Sequence, residues 1–459
     1  MTEKRKRLVF PTTVVLLAAG LAAVLASGDE GGTAAPSPTA TIPQATPAEL
    51  TAAGLDEFPL ARPDERVDLA LPTFSSPTKV TNPLFPISNL RSAILSGTVD
   101  GKDFKTETTL LPATEFLLGP SGRPVETLVS QYVAYLDGRI EEVALDHYAQ
   151  ADDGSVWYFG EDVFNYDDGF VVDTAGTWFA GIDGPAAMIM PGDPQVGDVY
   201  RSENIPGLVF EEVRIKTVDK TVQGPHGPVS GAVIAAELHA DGAREDKTFA
   251  PGYGEFFTGG GGDVEAMSLA VPTDKLSGPP PPQLLALSAG ADAVFDQAAV
   301  TSWRAARATV ASLKRSWRAF RAGQVPPRLE PRMSRSLDGL SDAVSARDSQ
   351  RAQHAAIAVA QSALDLQLRH RPQAEIDRGR FELWARQLVV DARAEDAPAV
   401  RGDLATLEWV RDRFVHMLAK ADAVGLDQQL LELRSKVDDD DLPRAAAEAA
   451  RLRATLARL

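Results

Sequence analysis

Asp-Gly pairs recur through the first half of the chain and limit what it can fold into. They stand at 100–101, 137–138, 153–154, 168–169 and 241–242, among other places. Stretches in which apolar and polar residues alternate lie on both sides of these pairs. A type I′ hairpin turn needs positive φ at both central residues, and Asp-Gly adopts it at low cost. We therefore predict consecutive β-hairpins, with no helix between them, over residues 80–272.

The individual hairpins can be placed from the same pattern. We predict these strand pairs: Leu95–Val99 with Phe104–Leu110, Thr127–Leu136 with Ile140–Tyr148, and Leu208–Val222 with Val229–Leu238. Hairpins that follow one another along the chain form an antiparallel meander. The expected fold of this half is an antiparallel β-meander, either a sheet or an open barrel.

The hydrophobic period changes after a block of prolines at Pro279–Pro282, from two residues to the helical value of about 3.6. Aspartates in three short connections are expected to cap the helices that follow them: Asp348, Asp396 and Asp441. We predict three antiparallel helical hairpins, at about 328–369, 373–423 and 426–458, after an opening helix at about 298–321. This half is expected to be an all-α helical-hairpin bundle.

The fold class is therefore multidomain, with a β part followed by an α part. The predicted segments are a signal peptide or membrane anchor (1–27), a disordered linker (28–70), an acidic antiparallel β domain (71–275), a proline linker (276–283) and an α-helical hairpin domain (284–459). Residues 301–459 hold 27 Lys+Arg and 22 Asp+Glu, which leaves 19 of the 46 basic and 42 of the 64 acidic residues for the remainder. The β half is therefore strongly acidic, which argues against nucleic acid as its partner, because binding phosphates requires a basic surface.

The N-terminal segment has the pattern of an export signal. A basic block, Lys4–Arg7, precedes the uncharged run Leu8–Leu25. Val24–Ala26 has the spacing of a cleavage site before Ser27, whereas the length of the apolar run also suits a retained anchor. Both alternatives place the folded part outside the cytoplasmic membrane, secreted or anchored, so that only this segment meets the membrane.

Residue types that carry common chemistry are sparse. The chain has no cysteine, and none of its six histidines has another three or four residues away. We therefore predict no catalytic residue, no metal ligand and no cofactor. The acidic pairs at 152–153, 161–162 and 167–168 are interpreted as turn formers rather than a calcium site. The aspartates of the helices, Asp365, Asp377, Asp391 and Asp403, are interpreted as solvated and paired with arginines.

Large aromatic residues are densest around one predicted strand. Side chains alternate along a strand, so Trp157 and Phe159 face one way and Tyr158 faces the other. Both faces therefore carry large apolar groups, and the second must be covered by a loop, by the helical domain or by a ligand. These residues, together with Tyr166 and Trp178, are the candidate ligand-binding residues.

Four runs of the β half stand out as a set: Asn82–Pro86, His147–Asp162, Met190–Asp198 and Ala250–Gly254. Together they resemble a family of exported actinobacterial proteins of unknown function, many of which are lipoproteins. The resemblance covers most of residues 80–272 and implies an extracytoplasmic compartment and a sheet-rich fold, without any catalytic residue. The chain departs from the family because it lacks the cysteine that would carry a lipid. We identify no family for the helical half.

The sequence thus predicts an exported, non-catalytic binding or interaction protein of the cell envelope, with an envelope protein or an apolar ligand as its partner. Two alternatives remain open. One is an extracytoplasmic hydrolase that uses carboxylates of the sheet. The other is a metal or haem site in the helices, near His416 and Met417.

Overall fold

The computed structural model describes residues 41–458, in which a curled antiparallel sheet packs against a set of helices. The strands are β1 Ser92–Val99, β2 Lys102–Leu118, β3 Pro124–Leu136, β4 Arg139–Gln150, β5 Val156–Asp167, β6 Phe170–Asp173, β7 Trp178–Phe179, β8 Ala187–Met190, β9 Val199–Ile205, β10 Val209–Gly224, β11 Gly227–His239, β12 Arg244–Ala250, β13 Gly254–Gly260 and β14 Asp263–Val271. They pair in the order β6-β5-β4-β3-β2-β1-β14-β13-β12-β11-β10-β9, and β7 and β8 also pair with β5. The predicted meander of antiparallel strands is confirmed.

The Asp-Gly turns differ among themselves. Both residues of the pairs at 100–101, 137–138 and 168–169 have positive φ, as a type I′ turn requires. In the pairs at 153–154 and 241–242 only the glycine has positive φ, and these pairs lie in wider turns. The Asp-Gly pattern therefore predicted these three tight hairpins correctly.

Curvature brings distant strands of the sheet together. Glu161 on β5 and Glu203 on β9 interact electrostatically, although their strands lie near opposite ends of the strand order. Tyr132 on β3 likewise interacts with Glu255 on β13 and Glu265 on β14. The sheet therefore encloses an interior, lined by one of its two faces.

Residues 41–70 are folded, so the prediction of a disordered linker is wrong for this part of it. They include helix α1 Pro47–Ala52, and the side chains of Ile42 and Leu55 are buried. The backbone amide of Ala61 donates to Glu212 on β10, and Asp68 accepts from the backbone amide of Arg201 on β9. This segment therefore packs on β9 and β10, and its own apolar side chains, such as Ile42 and Leu55, give it a buried surface.

The C-terminal part forms helical hairpins. The helices are α2 Pro282–Ala299, α3 Trp303–Phe320, α4 Leu329–Ala346, α5 Ser349–Gln367, α6 Gln373–Arg393, α7 Ala397–Asp412, α8 Lys420–Asp438 and α9 Leu442–Leu456. The side chains of Asp348, Asp396 and Asp441 cap α5, α7 and α9 as predicted. The predicted opening helix begins only at Trp303, and α2 before it was missed because its first residue, Pro282, belongs to the proline block that was assigned to the linker.

The sheet and the helices share buried apolar cores. Tyr135 on β3 stacks on Trp384 of α6 with their ring centroids 5.6 Å apart, and Val143 on β4 joins the same core. Ile94 on β1 and Leu269 on β14 join a second core with helices α2–α6. The two halves of the chain are therefore held together by apolar contact as well as by the linker.

Residues 1–27, predicted to be a signal peptide or an anchor, lie outside the described residues, as does the linker up to residue 40. Between residues 41 and 458, no helix has both the length and the apolar character needed to cross a membrane.

Candidate functional site

Carboxylates gather on the inner face of the curled sheet. Residues that are paired across an antiparallel ladder point to the same face of the sheet. Asp146 is paired with Glu161, and Glu203 is paired with Glu211, so each pair places two carboxylates on one face. The inner acidic cluster, as we name it, comprises Glu142, Asp146, Glu161, Glu203, Glu211, Glu237, Glu245, Glu255 and Glu265.

Solvent reaches part of this cluster. Glu142, Glu161, Glu255 and Glu265 face the interior, yet each retains some exposed surface, and so does Tyr132 between them. A tightly packed core leaves no such exposure. These inward side chains are therefore less tightly packed than the residues of the apolar cores.

Mutual repulsion and burial keep protons on several of these carboxyl groups. Burial, together with the negative charge of Glu255, raises the pKa of Glu265 to about 8. Burial raises the pKa of Asp146 to about 7, although Tyr158 donates a hydrogen bond of 2.8 Å to it, and burial raises that of Glu142 to about 7. Near neutral pH, these groups are therefore partly protonated and would ionise fully beside a cation.

Two basic side chains face the cluster. Lys247 Nζ lies 2.9 Å from Glu237 Oε2, and His239 Nδ1 lies 3.0 Å from Glu211 Oε1. Burial opposes ionisation of Glu211, but Lys247 and His239 outweigh it and lower its pKa to about 2. Burial likewise opposes protonation of His239, but hydrogen bonds to Glu211 and Glu245 raise its pKa to about 10. These two cations neutralise only a fraction of the cluster.

One carboxylate of the cluster is buried beside an indole. Glu203 is 6% exposed, and burial together with Glu211 raises its pKa well above the usual range, although a hydrogen bond from Trp178 acts to lower it.

The aromatic residues predicted to bind a ligand are all buried against protein groups. The Trp157 indole donates to Ser155 Oγ at 2.8 Å, and Phe159 packs edge-to-face on Phe74 at 5.6 Å. Tyr166 accepts a hydrogen bond of 2.8 Å from Trp409 of α7. The outer face of this strand is therefore covered by the segment before β1 and by the helices.

Of these five residues, Tyr158 and Trp178 lie beside the inner acidic cluster. Tyr158 donates to Asp146, and the Trp178 ring packs edge-to-face on Tyr158 at 5.4 Å and borders Glu203. The structure thus brings two of the predicted residues to the candidate site, and places Trp157, Phe159 and Tyr166 outside it.

The three acidic pairs do not converge. Asp152 accepts hydrogen bonds from Thr73 and Ser75, which fixes the segment before β1 on the β4–β5 turn. Glu161 joins the inner acidic cluster, while its neighbour Asp162 points away from it. Asp152 and Asp168 lie in turns, as the interpretation as turn formers predicts, whereas Glu161 faces the interior of the sheet.

The aspartates of the helices are paired with arginines as predicted, but they are buried and not solvated. Asp365 and Asp377 bind Arg380 at 2.7 and 2.9 Å. Asp391 and Asp403 bind Arg139 on β4 at 3.0 and 3.1 Å. The helices bury these groups because they pack on charged positions of the sheet. His416 and Met417 are both exposed.

Sequence reasoning missed Glu203, Glu211, Glu237 and His239 as candidate ligands. Glu237 and His239 are two residues apart and therefore share a strand face, but the sequence does not show which face is enclosed. Neither protein-family models nor curated proteins provide a match to this chain.

Proposed function

We propose that this chain is an exported, non-catalytic binding protein that holds a cationic ligand in the interior of its curled sheet. The excess of enclosed carboxylates over enclosed basic groups is the observation that carries this proposal. Burying like charges together is unfavourable unless protons or cations compensate them. The export pattern of the N-terminal segment supports a role outside the cytoplasm.

A cationic ligand agrees better with the interior than the apolar ligand predicted from the sequence. The aromatic residues that motivated an apolar ligand pack against Ser155, Phe74 and Trp409, so their surfaces are already used. The partly exposed inward side chains are instead carboxylates and tyrosines, such as Glu265 and Tyr132. Carboxylates and aromatic faces are the groups that bind metal ions and organic ammonium ions.

Native mass spectrometry of the full chain purified from its own host tests this proposal. We expect a mass excess that corresponds to a metal ion or an organic cation. The double variant Glu161→Gln/Glu265→Gln should lose this excess, because it removes two inward carboxyl groups that can ionise beside a cation and retains the side-chain shape. The control Asp246→Asn lies on β12 with its side chain bonded to Lys216, outside the cluster, and should retain it.

Two results would contradict the proposal. One is a retained neutral lipid in place of a cation. The other is a cation that stays bound to the Glu161→Gln/Glu265→Gln variant as tightly as to the wild type, since it would then occupy another place.

A further inference from the structure

A groove of about 830 Å³ lies between helices α6 and α9, far along the chain from the strands of the inner acidic cluster. Small residues help to keep it open, because Gly379 on α6 and three alanines on α9, at 450, 454 and 457, are part of its lining. Sites that hold small organic molecules have volumes of about 300–1,000 Å³. The groove therefore has the size of a binding site for a small molecule.

Arginines outnumber carboxylates along this groove. Its charged lining residues are Arg371, Glu375, Arg378, Glu382, Arg386 and Arg453. All but the last are spaced three or four residues apart, and this spacing places them on one face of α6 and of the turn before it. We name these six residues with the small residues between them the arginine groove. Its lining carries a net charge of +2, in a protein whose net charge is -18.

Two of the four arginines keep donors that no protein group uses. Arg378 forms no ion pair among residues 41–458, and its Nη2 atom donates to the backbone carbonyl of Leu456 at 3.0 Å. Arg453 donates from Nε to Glu382 at 2.9 Å, and its two Nη atoms have no acceptor in the described part of the chain. Both guanidinium groups therefore have N–H groups left to donate to a ligand.

The carboxylates of the groove are engaged by the arginines on either side. Glu382 accepts from Arg386 and from Arg453 on the same oxygen, Oε1. Asp292 on α2 also binds Arg386, at 2.6 Å, and Glu375 binds Arg371 at 3.2 Å. The positive charge that stays uncompensated is therefore that of Arg378 and part of that of Arg453.

The same bonds fix these two arginines across the groove. Arg378 and Glu382 are four residues apart on α6, while their partners Leu456 and Arg453 are three residues apart on α9. One helical turn rises about 5.4 Å, so the two guanidinium groups lie about one turn apart. Groups that are already ordered lose little entropy when a ligand binds.

We propose that the arginine groove binds an organic phosphate monoester. This site lies beyond the cation-binding interior of the sheet and does not depend on it. Planar guanidinium groups match the oxygens of a phosphate, with two N–H groups donating in parallel. A phosphate monoester carries a charge of about −1.5 to −2 at pH 7, which balances the lining, whereas a single carboxylate leaves it positive. The alanines and Leu456 would contact the organic part of the ligand.

Titration calorimetry of the full chain with phenyl phosphate tests this proposal. We expect one equivalent to bind, and Arg378→Gln and Arg453→Gln should each weaken binding by about tenfold or more, because each loses charged hydrogen bonds to the phosphate. Arg451→Gln is the matched control, since Arg451 is an exposed residue of α9 outside the lining and binds Glu448. It should change the affinity less than about twofold.

Two further variants separate a binding role of the arginines from a structural one. Glu375→Gln frees Arg371 for the ligand and should strengthen binding by about two- to fivefold, which loss of structure does not do. Ala454→Glu adds a carboxylate at an exposed position of the lining and should abolish binding. Circular dichroism of each variant checks that it folds.

Vesicles distinguish a soluble ester from a lipid headgroup of the same chemistry. Retention on vesicles that contain phosphatidic acid, but not on pure phosphatidylcholine, and its loss in Arg378→Gln would identify a lipid headgroup. Binding of phenyl phosphate without retention on vesicles would identify a soluble ester.

Four results would overturn the proposal. They are no binding of phenyl phosphate or of phosphatidic acid, equal affinities of Arg378→Gln and Arg451→Gln, undiminished binding by Ala454→Glu, and inorganic phosphate that binds as tightly as phenyl phosphate. The last result would show that the groove does not hold the organic part.

Discussion

Arg413, directly after α7, donates from Nη1 to Oε2 of Glu107 on β2 across 2.5 Å, in the buried junction between helices and sheet. Glu107 also binds Lys105 at 2.7 Å and Arg380 at 3.4 Å. Asp365 continues the network from α5, binding both Lys105 and Arg380. Burial opposes ionisation of Glu107, but the three cations outweigh it and hold its pKa well below the usual range. One carboxylate of the sheet thus joins side chains of the helices.

Replacing Glu107 with glutamine should destabilise the protein strongly. The substitution removes a carboxylate that pairs with both Arg380 and Arg413, while the two arginines remain buried and charged. Removing one partner of a buried ion pair costs about 3–5 kcal/mol. Chemical denaturation should show this loss, whereas Glu115→Gln, at an exposed position of the same strand, should change the unfolding free energy by no more than about 0.5 kcal/mol. Equal stability of the two variants would mean that the network does not hold the halves together.

Cutting the chain within Pro279–Pro282 should separate two fragments that are poorly stable alone. The sequence pattern favours independent halves, but the two halves share buried apolar cores. Cutting the chain would expose Val133 and Tyr135 in one fragment and Trp384 and Leu388 in the other, which is unfavourable. We expect no cooperative unfolding of either fragment, and recovery of native circular dichroism when they are mixed. Cooperative unfolding of each isolated fragment would contradict the shared cores.

The elements of the fold were predictable where local chemistry decides them. Asp137 and Asp168 specify tight turns through their own φ angles, and Asp348 caps α5 through its own side chain. The inner acidic cluster was not predictable. The alternation of side chains along a strand shows which residues share a face, but it does not show which face of the sheet is enclosed. Glu161 and Glu203 meet only because the whole sheet curls, and this depends on contacts between strands far apart in sequence.

Without a bound cation, stability should fall as the pH rises from about 5 to about 8. In the folded state the pKa is about 7 for Glu142 and Asp146 and about 8 for Glu265, against about 4 in the unfolded chain. Between pH 5 and pH 8 the folded state therefore binds more protons than the unfolded state does. The free energy of unfolding falls as the pH rises and these protons are lost. We expect a loss of at least about 2 kcal/mol, measured by denaturation of the chelator-treated protein.

The variant Glu265→Gln is the control for this pH dependence. It has no proton to lose at this position, so its stability should vary less between pH 5 and pH 8 than that of the wild type. A wild-type stability that rises with pH across this window would contradict the protonated interior.

Trp157→Ala and Tyr158→Ala should both be strongly destabilising. The two side chains point to opposite faces of β5, and each is buried, at 1% and 6% exposure. Removing a large buried aromatic side chain costs about 3–5 kcal/mol through lost burial and the cavity left behind. Thermal unfolding measures both losses. A small loss for Tyr158→Ala alone would mean that its ring faces open space rather than packed protein.

Thermal unfolding of the full chain with a panel of cations tests the central claim most directly. The panel is Zn²⁺, Mn²⁺, Ca²⁺, spermidine and tetramethylammonium, each compared with Na⁺ at equal ionic strength and pH 7.5. A cation present at about 100 times its Kd stabilises the folded state by about 2.7 kcal/mol. We predict that at least one of these cations raises the Tm of the wild type and of Asp246→Asn by several degrees, and leaves that of Glu161→Gln/Glu265→Gln unchanged. No shift with any cation, or an equal shift in the double variant, would contradict a cation-binding interior.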